Sequence, residues 1–120
     1  MSTQKRVLLI DDDPTICLTV SELLKEEGYQ VFSAENGLRG LEVLSTMKDT
    51  PPMLIFLDLS MPIMNGLEFL AIQKADPEIR FIPVAIFSAG GGTKPELADD
   101  FLRKPFHLDN LLLLLEKWSH

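Results

Sequence analysis

Short continuous apolar runs alternate along this chain with longer segments whose apolar residues recur every three or four positions. Val7-Leu-Leu-Ile10 ends abruptly in Asp11-Asp12-Asp13, the pattern of a strand buried on both faces. Asp13-Pro14 then reads as an N-cap followed by proline at the first helical position. Ile16, Val20, Leu23 and Leu24 continue at helical spacing until Gly28 stops the helix. Tyr29 to Ser33 predicts a short second strand. Asn36 can cap a second helix with Leu38, Leu41, Leu44 and Met47 as its apolar residues. Pro51-Pro52 breaks the chain before a third apolar strand, Met53 to Leu57, which ends at Asp58. Leu59 to Gly66 holds Pro62, Asn65 and Gly66 and reads as a loop. Leu67, Leu70 and Ala71 suggest a third helix ending near Asp76-Pro77. Strands are expected at Ile82–Phe87 and Phe101–Arg103, and a final helix at Leu108–Trp118. Five successive leucines, Leu111 to Leu115, cover every face of that helix, so at least one has to point outward.

The order is βαβαβαβ, a segment of uncertain structure, then βα. Such alternation predicts a parallel sheet covered on both faces, and right-handed crossovers lead to a doubly wound α/β fold. No repeat, low-complexity tract or linker interrupts it. With 120 residues, the chain is expected to form one domain over residues 1–120.

Composition narrows the function. The hydrophobic fraction of 46% and charged fraction of 24% are those of a globular chain. A net charge of −7 argues against direct nucleic-acid binding and against anionic membrane surfaces, and favours divalent cations and basic partners. The single cysteine, Cys17, excludes an intramolecular disulfide and a cysteine metal cluster, and is read as a small hydrophobe. The apolar runs are too short for a secretory signal or a membrane span, so a cytoplasmic location is expected.

In doubly wound sheets, ligands bind beyond the carboxyl ends of the strands. Asp11 to Asp13 follow the first strand, Asp58 the third, Ser88 the fourth and Lys104 the fifth. A 2-1-3-4-5 strand order makes these strands consecutive neighbours, so the groups converge on one edge. Asp13 is expected to be a helix cap rather than part of the site. Packed carboxylates repel unless a cation offsets their charge, and a hard cation such as Mg²⁺ suits oxygen ligands. An aspartate beside Mg²⁺ and a lysine can attack phosphorus and form an acyl phosphate, with Ser88 placed to hydrogen-bond the attached group.

Three segments carry a family resemblance: Val7-Leu-Leu-Ile-Asp-Asp-Asp-Pro14, Leu57-Asp-Leu-Ser-Met-Pro-Ile-Met-Asn-Gly66 and Phe101-Leu-Arg-Lys-Pro-Phe106. From about Lys5 to Trp118 the chain resembles the receiver domain of bacterial two-component response regulators, of the chemotaxis-regulator type. The resemblance implies a flavodoxin-like sheet. Asp58 matches the phosphoacceptor. Asp11 and Asp12 match the acidic pair that holds Mg²⁺, Asp12 more directly, and Ser60 matches the residue whose backbone carbonyl also binds it. Ser88 matches the switch hydroxyl, Lys104 the phosphate-binding lysine and Phe101 the aromatic switch residue. A cis peptide before Pro105 is also implied; proline lowers the cost of that isomer. Such a domain takes its phosphoryl group from a histidine kinase or histidine phosphotransfer protein and then controls a downstream partner. It catalyses only its own phosphorylation and dephosphorylation.

The pattern departs from the family in one place. Ser88 to Asp99 is 12 residues with three glycines and Pro95, too short and too rich in helix breakers for a full crossover helix. At most one turn is expected, at Pro95 to Leu97. Partner recognition is therefore expected to be atypical, with Phe101 and the leucines of the last helix losing cover that a homodimer or partner could supply. Ser60 and Gly90 are expected to tune the phosphoryl lifetime. Three other functions compete. A non-phosphorylated interaction module of the same fold conflicts with retention of Asp11, Asp12, Asp58, Ser88 and Lys104. An aspartyl phosphatase would need an acid where Ser60 stands. A flavin domain would need a phosphate-cradling loop where Asp11 to Asp13 stand.

Overall fold

A computed structural model describes residues 5–89 and 92–119. Five strands form one parallel sheet in the order β2-β1-β3-β4-β5. They are β1 (Lys5–Ile10), β2 (Tyr29–Ala34), β3 (Leu54–Asp58), β4 (Val84–Ser88) and β5 (Asp100–Arg103). Four helices cover the sheet: α1 (Pro14–Glu26), α2 (Gly37–Ser45), α3 (Gly66–Ala75) and α4 (Leu108–Lys117). The expected flavodoxin-like fold is present. No helix among the described residues is long and apolar enough to cross a membrane.

Local chemistry sets the helix starts. The Asp13 carboxylate accepts from the Thr15 and Ile16 N–H groups ahead of Pro14. Asn36 caps α2 through the Arg39 N–H. Asn65 and Glu68 form a reciprocal capping box on α3, an N-x-x-E signature in the sequence that fixes where the loop after β3 ends.

The two faces of the sheet carry separate cores. Leu8, Ile10, Ile55, Leu57, Phe69, Leu70 and Ile86 pack on the α2–α3 face. Val7, Leu9, Val20, Leu24, Phe56, Phe87, Leu111 and Leu115 pack on the α1–α4 face. Several expected core positions differ. Leu38 and Leu67 are exposed, as is Ala71, while α2 instead turns Gly37 and Gly40 inward. A Cβ at Gly40 would lie 2.5 Å from Ile10 Cδ1, so the helix sits closer to the sheet than a larger residue allows. Gln73, a polar residue, is fully buried on α3 and donates to the carbonyls of Ile79 and Ile82. Leu113 is the outward leucine of the last helix.

The segment between β4 and β5 contains no helix among its described residues. It has one turn, closed by the Ala98 N–H on the Pro95 carbonyl at 3.1 Å. Gly90, and the lifetime role expected for it, lies outside the described residues. The expected loss of cover is confined to one face. Phe101 is half-buried on the α2–α3 side, but Leu111 and Leu115 are fully buried, because α4 packs on the opposite face. In place of a helix, a polar staple anchors the segment. The Asp99 carboxylate accepts the Val84 N–H at 2.8 Å and the Lys74 ammonium at 2.9 Å, and the Asp99 N–H donates to the Val84 carbonyl at 2.9 Å.

Candidate functional site

Parallel pairing brings the strand ends together. Ile10 pairs with Leu57, Asp58 with Phe87, and Ser88 with Arg103, so the residues that follow or end these strands line one edge. Asp11 is almost fully buried, Asp58 is 8% exposed and Asp12 is open to solvent. A carboxylate oxygen from each lies within 4.8 Å of the others. Lys104 reaches into this group from beyond β5. Its Nζ is 2.9 Å from Asp11 Oδ2 and 3.5 Å from Asp58 Oδ1. The other Asp11 oxygen accepts the Asp13 N–H at 2.9 Å.

This crowding perturbs the ionisable groups. Burial is the main force pushing the Asp58 carboxyl above its ordinary value; the Asp11 charge adds to it and Lys104 opposes it. Burial works against the Lys104 charge, but its hydrogen bond to Asp11 and the attraction of Asp11 and Asp58 outweigh that and raise it. Cys17 lies beside the cluster, its thiol donating to the Asp11 carbonyl at 3.3 Å. Burial, with the Asp11 charge, pushes that thiol up to about 11, so it stays protonated and unreactive near neutral pH.

The loop after β3 holds Asp58 in place. The Gly66 N–H donates to the Leu59 carbonyl at 3.0 Å, and a Cβ on Gly66 would fall 2.5 Å from the Asp58 carbonyl oxygen. The Gly37 N–H donates to the Met64 carbonyl at 2.9 Å and ties α2 to the same loop. Between them, the Met64 N–H closes on the Pro62 carbonyl at 2.7 Å around Ile63, whose φ is 68°. That is the left-handed region, which a β-branched residue adopts only under strain. Gly66 and Gly37 were not among the expected site residues; the Asn65–Glu68 capping box at the loop's end is the sequence signal that marks Gly66.

Asp11, Asp12, Asp58 and Lys104 are therefore brought together. Ser88 ends β4 half-buried, and its carbonyl accepts the Lys104 N–H at 2.8 Å. Ser60 is exposed in the loop two residues after Asp58. Phe101 packs against the α2–α3 core, with the Arg103 guanidinium 5.7 Å from its ring centre. The Lys104–Pro105 peptide is cis. Three carboxylates clustered without a sulfur or nitrogen ligand fit a hard, oxygen-preferring divalent cation.

A family model described as the response regulator receiver domain matches residues 7–116. Protein PilG of Pseudomonas aeruginosa is 33% identical over 113 residues, covering 89% of this chain and 82% of PilG. A probable transcriptional regulatory protein of Picosynechococcus is 34% identical over 122 residues, covering 93% of this chain and 48% of that protein. The chain thus spans about half the length of such curated relatives. The chemotaxis response regulator CheY4 of Vibrio cholerae superposes with a TM-score of 0.83 at 27% identity, covering 98% of this chain and all of that one. Strand order, acidic edge and sequence agree: this chain belongs to the response regulator receiver family of two-component signalling.

Proposed function

We propose that Asp58 reversibly accepts a phosphoryl group from a histidine kinase or histidine phosphotransfer protein, in a reaction that requires Mg²⁺. The observation that carries this reading is the Lys104 ammonium lying between Asp11 and Asp58 within a cluster of three carboxylates. Asp11, Asp12, Asp58 and the Ser60 carbonyl are the groups that hold the metal. When bound, Mg²⁺ offsets the charge of the carboxylates and of the incoming phosphoryl oxygens. An Asp58 oxygen bonds to phosphorus as the bond from phosphorus to the donor nitrogen breaks. Lys104 follows the new negative charge, exchanging part of its contact with Asp11 and Asp58 for a phosphoryl oxygen. The Ser88 hydroxyl donates to another, and Phe101 turns inward as Ser88 moves, changing the surface presented to a downstream protein. Residues 1–120 act as one switch unit in the cytoplasm, and the only chemistry catalysed is gain and loss of this group.

A mostly apolar groove of about 540 Å³ runs from Thr15, Ile16 and Thr19 on α1 to Pro105 and Phe106, with Lys104 at its edge. Its continuity with the site supports this as the surface a protein donor covers.

The test is incubation with acetyl phosphate and Mg²⁺, read by intact mass. The expected result is one added phosphoryl group in wild-type protein and none in Asp58→Asn. Folded wild-type protein that acquires no adduct, or an adduct that persists in Asp58→Asn, overturns the reading.

A further inference from the structure

The other ends of the strands carry a groove of about 770 Å³. Lys5 opens β1, Met53 precedes β3, Ile82 and Pro83 precede β4, and Asp99 precedes β5. Five residue steps along β3, from Met53 to Asp58, separate this groove from the phosphoacceptor position by about 16 Å. Its volume is that of a small-molecule pocket, and it is independent of the phosphoacceptor chemistry.

The groove is apolar inside and cationic at the rim. Met53, Ile82 and Pro83 contribute its apolar floor. Phe81 lines it while 64% exposed, and Trp118 faces it with its indole N–H fixed on Asp100 Oδ2 at 3.1 Å. Lys74 is saturated: it donates to the Arg80 and Ile82 carbonyls and to Asp99, whose charge it offsets. Two cations remain. Among the described residues, Arg80 makes no side-chain hydrogen bond or ion pair, and Lys5 has as its partner the Tyr29 ring, at 5.1 Å. In a chain of net charge −7, this is a site of locally reversed sign. An exposed phenylalanine and an unmatched arginine stand side by side there, and one ligand accounts for both.

We propose that this groove binds a small amphipathic organic anion. Its flat apolar body lies between Phe81 and Trp118, and its carboxylate, sulfonate or phosphate pairs with Arg80, assisted by Lys5. A neutral molecule of the same shape binds more weakly, because the Arg80 contact is lost.

Trp118 is the only tryptophan of the chain, so it reports on this groove directly. The probe is 8-anilinonaphthalene-1-sulfonate titrated into the full chain, with Trp118 excited and energy transfer to the dye recorded. Saturable binding at one site with transfer from Trp118 is expected. Arg80→Glu should weaken it about tenfold, the loss of one charge-assisted hydrogen bond. Arg39→Glu makes the same charge change at the opposite ends of the strands and should leave binding within about twofold. Unsaturable binding, absence of transfer from Trp118, or equal weakening by the two substitutions overturns the proposal.

Discussion

Asp99 anchors the segment between β4 and β5, which contains no helix among its described residues, and replacing it tests that directly. Its carboxylate oxygen accepts the N–H of Val84, a fully buried residue, and the Lys74 ammonium. Asp99→Ala removes both partners. An unsatisfied N–H at the start of a central strand costs about 1–3 kcal/mol. The ion pair is part-exposed, with side-chain exposures of 17% and 32%, and adds at most about 1 kcal/mol. The expected loss is therefore about 1–4 kcal/mol for Asp99→Ala. Asp99→Asn keeps an oxygen for the Val84 N–H and should lose about 1 kcal/mol. Urea unfolding followed by circular dichroism measures both, with an unchanged denaturant slope showing that the folded and unfolded states are otherwise the same. Lys74→Met loses the Asp99 ion pair together with the hydrogen bonds to the Arg80 and Ile82 carbonyls, so in the Asp99→Ala background its cost should shrink only by the ion-pair part, at most about 1 kcal/mol. An Asp99→Ala stability within about 0.5 kcal/mol of wild type, or equal losses for Ala and Asn, would refute the staple.

Other consequences follow from the site. Gly66→Ala forces a methyl against the Asp58 carbonyl and the Leu59 Cα, both backbone atoms, so it should cost about 3 kcal/mol or more and abolish phosphoryl labelling; soluble protein that labels normally contradicts this. Ile63→Gly relieves a left-handed φ worth about 1–2 kcal/mol and offsets part of it by loosening the unfolded chain, for a net gain of about 0.5 kcal/mol in the same urea assay. Asp58 is raised by burial, so its ionised form opposes folding: stability falls as pH rises above the unfolded carboxylate value, and the deficit persists at neutral pH. Asp58→Asn should therefore melt higher than wild type without metal, and Mg²⁺ should raise the wild-type melting temperature more than that of the variant. Asp100 is shifted the other way. Burial opposes its charge, but hydrogen bonds from Lys117, the Phe101 N–H and Trp118 outweigh it and lower its value. Its contribution is present above pH 3.8 and lost on further acidification, so Asp100→Asn should flatten the acid limb of a stability profile.

Much of this molecule is legible in its one-dimensional pattern. Strands buried on both faces have to be continuous apolar runs, so Val7–Ile10 and Leu54–Leu57 announce themselves, and the acids that end them mark the ligand edge. That no crossover helix forms among the described residues of this segment is equally readable, because three glycines and Pro95 within 88–99 disfavour one. Helix faces are less so. Leu38 satisfies helical spacing yet lies outward, since the close approach of α2 to Ile10 of the sheet and to the Met64 loop selects Gly40 and Gly37 for its inner face; Leu67 also lies outward, on α3.

What the sequence by itself determined is the order of elements, the strand-end position of Asp11, Asp58, Ser88 and Lys104, and the family they match. Those properties depend on local periodicity and on residue type. Only the tertiary structure decided that Lys104 spans Asp11 and Asp58, that Asp99 reaches Lys74 and Val84, and that Arg80 has no side-chain partner among the described residues. Each is a contact that a side chain makes with a group far away in the chain, or, among the described residues, the absence of one. The length of a side chain and the rotamer it takes against its neighbours settle such contacts, and neither is written in the spacing of residues along the chain.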